Sequence, residues 1–253
     1  MPKFPSSHVT LITGASTGIG AATALAFAAE GSQVAVHYNS SQDAARKVAD
    51  GVAGSGGKAW LFQADLSKAG ECRRLVSEVL KTCGRIDVLV NNAGSLVDRR
   101  MLLDIDDEFW QRVLDINLNS AFWTTQAVAR HMTKRGSGAI INVSSIAARN
   151  GGGPGATPYA TAKAAMTAMT KGHAKELIAR GVRVNAVNPG VILTPFHERF
   201  SPPERMKAMV STIPQGRAGE PKEIAGAIVF LAGDAASHIV GESLEINGGM
   251  LME

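Results

Sequence analysis

The sequence predicts an α/β fold, a doubly wound parallel sheet of about seven strands with helices on both faces. Seven short apolar runs rich in valine and isoleucine alternate with longer segments of helical character. The runs are continuously apolar, which is typical of strands covered on both faces. Connections between parallel strands are right-handed, which places helices on both sides of the sheet. The predicted strands are 8–13, 33–38, 58–65, 87–94, 138–145, 182–190 and 243–248.

The segments between these strands predict six helices, and one segment departs from the alternation. No internal repeat or change in composition divides the chain, so residues 1–253 are predicted to form one domain. Segment 191–216 follows the sixth strand and contains four prolines. Because it would lie over the carboxyl ends of the strands, we predict that it is a substrate lid. The predicted helices are 18–30, 41–54, 67–83, 106–134, 157–179 and 221–233.

The composition excludes several classes of protein. A hydrophobic content of 45% over 253 residues allows a substantial core and argues against disorder. The net charge of +4 comes from scattered basic residues, so we expect no nucleic-acid partner, while an anionic small molecule or an acidic carrier stays open. The six histidines lack metal-ligand spacing, so no metal site is predicted. With no signal peptide or membrane span, we expect a cytoplasmic protein without a membrane partner.

A glycine-rich turn follows the first predicted strand. The sequence TGASTGIG occupies 13–20, and a helical segment follows it directly. Gly14, Gly18 and Gly20 are placed where the chain must turn sharply, approach a ligand closely and pack helix against strand. The helix N-terminus behind them offers free N–H groups to a phosphate. This turn therefore predicts dinucleotide binding.

A tyrosine and a lysine stand out in the segment TPYATAKAA at 157–165. Tyr159 and Lys163 are four residues apart, which places both on one face of a helix, one turn apart. Their neighbours are small, so only these two groups reach out from that surface. An exposed pair with no chemical role is the alternative interpretation of such a pair taken alone.

Six ordered motifs resemble those of the short-chain dehydrogenase/reductase family. The resemblance runs from about Val9 to the C-terminus and implies a Rossmann fold and a nicotinamide-dependent oxidoreductase. The motifs are the TGxxxGxG turn, NNAG at 91–94, INLNS at 116–120, INVSS at 141–145, YATAK at 159–163 and NPG at 188–190.

The resemblance also implies roles for four residues. Tyr159 would be the catalytic acid and base, and Lys163 would lower its pKa and hold the nicotinamide ribose. A serine would stabilise the substrate oxygen, and alignment of INVSS favours Ser145, with the adjacent Ser144 as the alternative. Asn117 would complete a proton relay. This asparagine falls inside a predicted helix, where its residue type is locally unfavourable, so it marks either an exposed position or a kinked turn.

Tyrosine chemistry agrees with this assignment. Free tyrosine has a pKa of about 10, which makes it a poor base at neutral pH. A nearby ammonium and an oxidised nicotinamide ring both favour the phenolate. Tyr159 can then exchange a proton with an alcohol or carbonyl oxygen while hydride moves.

The end of the second predicted strand bears on the choice of cofactor. A carboxylate there would bind the adenosine ribose and repel a 2′-phosphate, but none is present. The segment instead offers neutral or potentially cationic donors, His37, Tyr38, Asn39 and Ser40. NADP(H) is therefore favoured, and NAD(H) stays as the alternative because no arginine is present. The resemblance implies further cofactor contacts at Ser16, Thr17, Ile19, Asp65, Leu66, Asn91, Ala93, Gly94, Pro189, Gly190, Ile192 and Thr194.

Segments 91–118 and 241–250 are similar to those of family members that reduce 3-oxoacyl thioesters carried by an acyl carrier protein. This similarity implies a thioester substrate, a carrier partner and a homotetramer, with Arg135 and Arg180 at or next to the positions of a basic patch that meets the carrier. A sugar, polyol, steroid-like or other small keto substrate is the alternative. A non-catalytic dinucleotide sensor is disfavoured, since it would not need Asn117, Ser145, Tyr159 and Lys163 together. The lid residues that would decide the substrate include Phe196, His197, Phe200 and Met206.

Overall fold

The computed structural model describes residues 3–252, so residues 1, 2 and 253 of the predicted domain lie outside the described part. All seven predicted strands are present; β2 has the predicted bounds, and the other six are slightly shorter than their apolar runs. They are β1 (Val9–Ile12), β2 (Gln33–Tyr38), β3 (Ala59–Gln63), β4 (Val88–Asn91), β5 (Gly138–Val143), β6 (Val182–Pro189) and β7 (Ser243–Ile246).

These strands form one parallel sheet in the order β3-β2-β1-β4-β5-β6-β7. The α/β prediction is therefore confirmed. The chain moves from β1 towards one edge of the sheet and then returns to place β4 on the other side of β1. Loops that leave these two strands diverge and open a crevice at their carboxyl ends, where ligands bind in sheets of this kind.

Within residues 3–252, ten α-helices accompany the strands, and the predicted helix 106–134 is helical but contains a π-helical turn. The segment 106–134 is interrupted by a π-helical turn at Asp115–Asn119. Within it, the Asn117 side chain donates to the Val113 carbonyl at 2.9 Å, which competes with regular backbone bonding. The helices are α1 (Gly18–Ala29), α2 (Gln42–Gly54), α3 (Ala69–Cys83), α4 (Asp107–Leu114), α5 (Ser120–Arg135), α6 (Ala147–Asn150), α7 (Thr157–Leu177), α8 (Pro195–Phe200), α9 (Pro203–Ser211) and α10 (Pro221–Ala232).

The core has two layers, one on each face of the sheet. Successive residues of β1 point to opposite faces, as strand geometry requires. Leu11 packs with Leu75 of α3 on one face. Ile12 packs with Phe27 of α1 and Ile228 of α10 on the other. Burial of both faces explains why the strands read as continuous apolar runs. Among residues 3–252, no helix combines the length and apolar character needed to cross a bilayer.

Gly20 tests how tightly the first helix packs on the glycine-rich turn. A Cβ at this position would lie within 2.5 Å of two atoms, the Gly14 carbonyl oxygen and Asn92 Nδ2. We expect Gly20→Ala to lower the free energy of unfolding by about 2–3 kcal/mol, because backbone must move to admit the methyl group. Chemical denaturation measures this change.

Gly226→Ala is the matched control, since Gly226 lies in α10 and a methyl group added there would meet no heavy atom within 4 Å outside its own helix backbone. We expect Gly226→Ala to raise the free energy of unfolding by about 0.5–1 kcal/mol, because alanine is a better helix former than glycine. Equal effects of the two substitutions would contradict the packing account of Gly20.

Candidate active site

A cleft of about 670 Å³ lies at the carboxyl ends of the strands, across the crevice between β1 and β4. It gathers most of the residues that the sequence singled out. Those that line it are Gly14, Ser16, Thr17, Gly18, Ile19, His37, Asn39, Ser40, Asp65, Leu66, Ala93, Gly94, Ser144, Ser145, Tyr159, Lys163, Pro189, Gly190, Ile192 and Thr194.

Four predicted site residues do not line the cleft: Gly20, Tyr38, Asn91 and Asn117. Gly20 lies beneath the turn as a packing position. Tyr38 points into the hydrophobic core, because it alternates with His37 along β2. Asn91 is turned towards α5 and β5, where its amide donates to Thr125 and Asn142.

The sequence analysis missed Asn92, which takes the place expected of Asn91. Its Nδ2 donates at 2.9 Å to the carbonyls of both Thr13 and Gly14 and so holds the first turn from below. The signal was present in the sequence as two consecutive asparagines at the end of β4. Which of the two faces the cleft depends on where the strand ends, and the motif alone leaves that undecided.

The glycine-rich turn forms an open cradle. Gly14 and Gly18 have φ angles of +62° and +56°, which L side chains rarely adopt. A Cβ at Gly18 would also lie 3.2 Å from Thr194 across the cleft. No side chain caps the N-terminus of α1, so the N–H groups of its first turn face the cleft unpaired. This donor set fits the pyrophosphate of a dinucleotide.

His37 is a brace for this turn. The Gly14 N–H donates to Nδ1 at 3.0 Å, so Nε2 carries the proton that it donates to the Ala64 carbonyl at 3.1 Å. Only 2% of the residue is exposed, and burial lowers its pKa to about 4. Of the neutral and cationic states that the sequence left open for His37, the structure favours the neutral one. It is neutral at physiological pH, and both ring nitrogens are in use.

The adenosine end of the cleft combines hydroxyl and amide groups with one carboxylate. Asn39, Ser40 and Ser41 follow β2. Asp65 follows β3, and the Ser67 hydroxyl that donates to it at 2.7 Å lowers the pKa of its carboxyl group. Two cations lie near this end: Lys68 pairs with Asp65 at 3.4 Å, and Arg112 lines an adjoining pocket together with Asn39 and Asp65.

Tyr159 and Lys163 lie one turn apart on α7, with Lys163 Nζ 5.7 Å from the centre of the tyrosine ring. Lys163 is 3% exposed, donates to the Val143 carbonyl at 2.8 Å, and has its pKa lowered to about 8 by burial. Burial raises the pKa of Tyr159 to about 12, and hydrogen bonding to Ser145 opposes that rise. The protein by itself thus favours the protonated phenol, the opposite direction from the predicted lowering.

The two adjacent serines differ in what their hydroxyls contact. Ser144 Oγ donates to the Lys163 carbonyl at 2.8 Å and is buried against α7. Ser145 Oγ interacts with Tyr159 and accepts from the Ala147 N–H at 3.1 Å. Ser145 is therefore the serine beside the phenol, while Ser144 ties the strand end to the helix.

Asn117 lies behind the cleft, fully buried in the π-helical turn. Its amide oxygen accepts from the Ser95 N–H at 3.0 Å, and its nitrogen donates to the Ser95 carbonyl at 2.7 Å. A Cβ on Gly94 would meet both Asn117 Oδ1, at 2.8 Å, and Lys163 Nζ, at 3.3 Å. The exposed position considered in the sequence analysis is wrong. The side chain braces the loop over Lys163, and a proton relay through it stays a prediction.

The segment predicted as a lid contains α8 and α9. Phe196 and His197 of α8 line the cleft, and the Phe196 ring lies 5.8 Å from that of Tyr159. Phe200 and Met206 do not line it; Met206 packs in a small cluster around Val191 and Ile213. The segment therefore covers the cleft, and its opening and closing stay a prediction.

The two arginines assigned to a carrier-binding patch lie away from the cleft. Arg135 ends α5 and forms an ion pair with Asp87, which Arg85 also contacts. Arg180 precedes β6. Both stand at the amino edge of the sheet, opposite the cleft. These two arginines therefore do not lie beside the cleft, because both precede the amino ends of strands, and their contact with a carrier stays a prediction.

A dinucleotide cradle beside a half-buried tyrosine, a buried lysine and a serine defines an oxidoreductase that uses a nicotinamide dinucleotide. Sequence comparison agrees. The family described as Enoyl-(Acyl carrier protein) reductase matches residues 14–251. The chain belongs to the short-chain dehydrogenase/reductase family.

Similar proteins extend over nearly the whole chain. A 3-oxoacyl-[acyl-carrier-protein] reductase of Synechocystis sp. is 45% identical, with 98% of each chain covered. One of Thermotoga maritima is 42% identical over 96% of this chain and 98% of its own.

Solved structures match the fold over nearly the whole chain. A short-chain type dehydrogenase/reductase from Mycobacterium marinum is 38% identical, with a TM-score of 0.91 and coverage of 97% of this chain and 96% of its own. A 7α-hydroxysteroid dehydrogenase complexed with NADH and 7-oxo glycochenodeoxycholic acid is 34% identical, with a TM-score of 0.91 and 99% of each chain covered.

The neutral state of His37 makes stability depend on pH in a defined direction. Its pKa is about 4 in the folded protein and 6.5 in the unfolded chain, so its contribution is full above pH 6.5 and is lost as the pH falls towards 4. Protonation of this group alone should lower the free energy of unfolding by about 2 kcal/mol as the pH falls from 7.5 to 5. We expect His37→Gln to flatten the profile by that amount in chemical denaturation, whereas His238→Gln, at an exposed position, should leave it unchanged. A profile unaltered by His37→Gln would contradict the assigned neutral brace.

Proposed function

We propose that this protein reduces the keto group of a 3-oxoacyl thioester, with NADP(H) as its preferred cofactor. The observation that carries the proposal is the placement of Tyr159, Ser145 and Lys163 together at the floor of a cleft whose other half is a dinucleotide cradle. The substrate class is supported by the two relatives named 3-oxoacyl-[acyl-carrier-protein] reductase, at 45% and 42% identity over nearly full length.

In the proposed reaction, the substrate oxygen sits between the hydroxyls of Ser145 and Tyr159. Ser145 donates a hydrogen bond to this oxygen and stabilises the negative charge that develops on it. Tyr159 gives its proton to the oxygen and leaves an alcohol. When bound, the reduced nicotinamide supplies the hydride that the carbonyl carbon receives. A phenol with its pKa raised to about 12 is protonated at neutral pH, which suits a reductase that needs an acid.

Lys163 has two proposed tasks. Once Tyr159 has lost its proton, the ammonium one turn away stabilises the phenolate. The lowered pKa of about 8 leaves Lys163 mostly charged at pH 7 but able to pass a proton on. Its bond to the Val143 carbonyl fixes the ammonium in place without a carboxylate that would cancel its charge.

The cofactor preference follows from the groups near the adenosine ribose. Residues 39–41 bear no carboxylate, so a 2′-phosphate meets the amide and hydroxyls of Asn39, Ser40 and Ser41 at the N-terminus of α2. Asp43 in the first turn of α2 and the pairing of Lys68 with Asp65 limit the attraction for a phosphate. We therefore propose a modest preference for NADPH over NADH.

A steroid-like or other small keto substrate is the second candidate. It is favoured by the 34% identity to a 7α-hydroxysteroid dehydrogenase and by the largely apolar cleft walls, including Leu96, Ile146 and Met250.

We also propose a cytoplasmic homotetramer. Exposed apolar side chains on α5 and β7, at Phe122 and Leu244, support contacts between copies, and light scattering on the 26.5 kDa chain tests the assembly.

The direct test of the proposed function is NADPH oxidation with acetoacetyl-N-acetylcysteamine, beside crotonyl-N-acetylcysteamine and a panel of sugars, diketones and oxo-steroids. Turnover of the 3-oxo thioester, without turnover of the enoyl thioester, is the expected result. Turnover of another carbonyl alone would move the substrate to the second candidate. No oxidation with any carbonyl would contradict the oxidoreductase assignment.

Tyr159→Phe isolates the proton donor, and the only other tyrosine, Tyr38, provides the control. We expect Tyr159→Phe to lower kcat by about 10³-fold or more, because the hydroxyl that supplies the proton is gone. NADPH affinity, measured by fluorescence, should change less than about twofold. Tyr38→Phe, in the core, should keep full activity; retention of more than a few per cent of the rate by Tyr159→Phe would contradict the assigned role.

Asn39→Asp tests how the ribose end reads the cofactor. A carboxylate there repels a 2′-phosphate and accepts hydrogen bonds from a 2′-hydroxyl. We expect the ratio of Kd for NADH to Kd for NADPH to fall by about tenfold or more, measured by calorimetry without substrate. Asn39→Ala is the neutral control and should shift the ratio much less. An unchanged ratio in Asn39→Asp would mean that residues other than Asn39 recognise the 2′-phosphate of NADPH.

A further inference from the structure

The half of the cleft beyond Tyr159 is mostly apolar and is lined by one histidine and one arginine. This substrate half is lined by Leu96, Ile146, Phe196, His197, Met209 and Met250, together with Arg99. Lys163 and Arg99 are the two lysine or arginine side chains that line the cleft, and its one lining carboxylate, Asp65, belongs to the adenosine end, as far as the described residues go. The substrate half therefore carries positive charge that no lining acid offsets.

Arg99 is held in place by the backbone of two neighbouring segments. Its Nε donates to the Phe200 carbonyl and its Nη1 to the Pro154 carbonyl, both at 3.0 Å. A Cβ on Gly155 would lie 3.0 Å from the Arg99 Cβ, so the loop approaches closely. Val97, two residues earlier, has a φ of +64°, an unusual conformation for a β-branched residue. The guanidinium of Arg99 is thus held in position by its hydrogen bonds to the Phe200 and Pro154 carbonyls.

Much of the donor capacity of Arg99 is unused. Guanidinium has five N–H donors, and the two bonds to carbonyls use two of them. Within residues 3–252, Nη2 has no hydrogen-bond partner and Arg99 forms no ion pair. The neighbouring Arg100 differs in that it forms an ion pair, with Asp106 at 2.6 Å, and stacks over the Phe109 ring.

The electrostatic surroundings of Arg99 also favour an incoming anion. Burial and the nearby charge of Arg205 both lower the pKa of Arg99. Burial lowers the pKa of His197 in α8, and the positive charge of Arg99 lowers that pKa further. An anion bound at this point would relieve the repulsion between the two arginines.

An apolar wall separates this cation from the reacting groups. The Tyr159 ring contacts Phe196 at 5.8 Å, and Phe196 contacts Phe200 at 5.2 Å between ring centres. The Phe200 carbonyl then accepts from Arg99. A ligand that runs from Tyr159 past Phe196 to Arg99 needs a neutral reacting end, an extended body and a negative group farther along.

We propose that Arg99 binds the phosphate of the pantetheine arm to which the thioester substrate is attached. This inference rests on the proposed function, because the acyl chain and the thioester are neutral and the arm supplies the negative group. The planar fork of arginine suits a phosphate, and Nη2 offers both of its donors. Coenzyme A and an acyl carrier protein share this arm and its phosphate, so either can present it.

The test compares thioesters with and without the phosphate. Acetoacetyl-coenzyme A carries it, whereas acetoacetyl-N-acetylcysteamine lacks it. We expect Arg99→Gln to raise KM for the first by about tenfold or more and to change KM for the second by less than about twofold, with kcat nearly constant for both. Arg100→Gln, which removes the adjacent but ion-paired arginine, is the control and should alter neither value.

A binding measurement separates phosphate recognition from a role in holding the lid. 4′-Phosphopantetheine should inhibit the wild type more strongly than pantetheine, and Arg99→Gln should abolish the difference. Acetoacetyl-carrier protein should lose affinity in parallel with acetoacetyl-coenzyme A. If Arg99→Gln lowered affinity for the carrier substrate alone, or raised KM equally for the neutral thioester, phosphate recognition by Arg99 would be overturned. Absence of turnover with every thioester would instead reject the proposed function.

Discussion

The hydrogen bond from the buried Lys163 ammonium to the Val143 carbonyl is the contact on which the site depends. It joins α7, which carries Tyr159, to the end of β5, which carries Ser145. Burying an ammonium without a carboxylate partner is costly, and this cost appears in the lowered pKa of Lys163. The positive charge of Lys163 lies 5.7 Å from the centre of the Tyr159 ring, where it stabilises the phenolate that proton transfer leaves.

The sheet topology then decides what surrounds this pair. Because β1 and β4 are neighbours whose loops diverge, the glycine-rich turn and Gly94 meet across one crevice. His37 and Asn92 hold the turn from two sides, so its open N–H groups keep their direction without a bound ligand. Asn117 holds the loop after β4 over Lys163. Cofactor cradle and proton donor are therefore parts of one hydrogen-bonded frame.

Much of this arrangement was predictable from the sequence, for identifiable reasons. Buried parallel strands leave apolar runs, and the motif spacing fixed the family and the tyrosine–lysine pair. Tyr38 and Asn91 were misplaced because the side that a strand-end residue faces depends on register and on where the strand stops. The neutral state of His37 and the ion pair of Arg135 arise from long-range contacts. The π-helical turn at Asn117 combines a local bond to Val113 with long-range bonds to Ser95. The position of Arg99 likewise depends on contacts with Pro154 and Phe200, distant in sequence.

The most direct test of the central claim is the ionisation of Tyr159, the proposed proton donor, followed by the ultraviolet absorbance of tyrosinate. The chain has two tyrosines, so the difference between wild type and Tyr159→Phe isolates one phenol. The account predicts that Tyr159 stays protonated through about pH 10 in the protein alone, in keeping with a pKa of about 12, and ionises below that pH once oxidised dinucleotide adds positive charge. The same titration with and without dinucleotide would contradict the claim that charge in the cleft controls this proton.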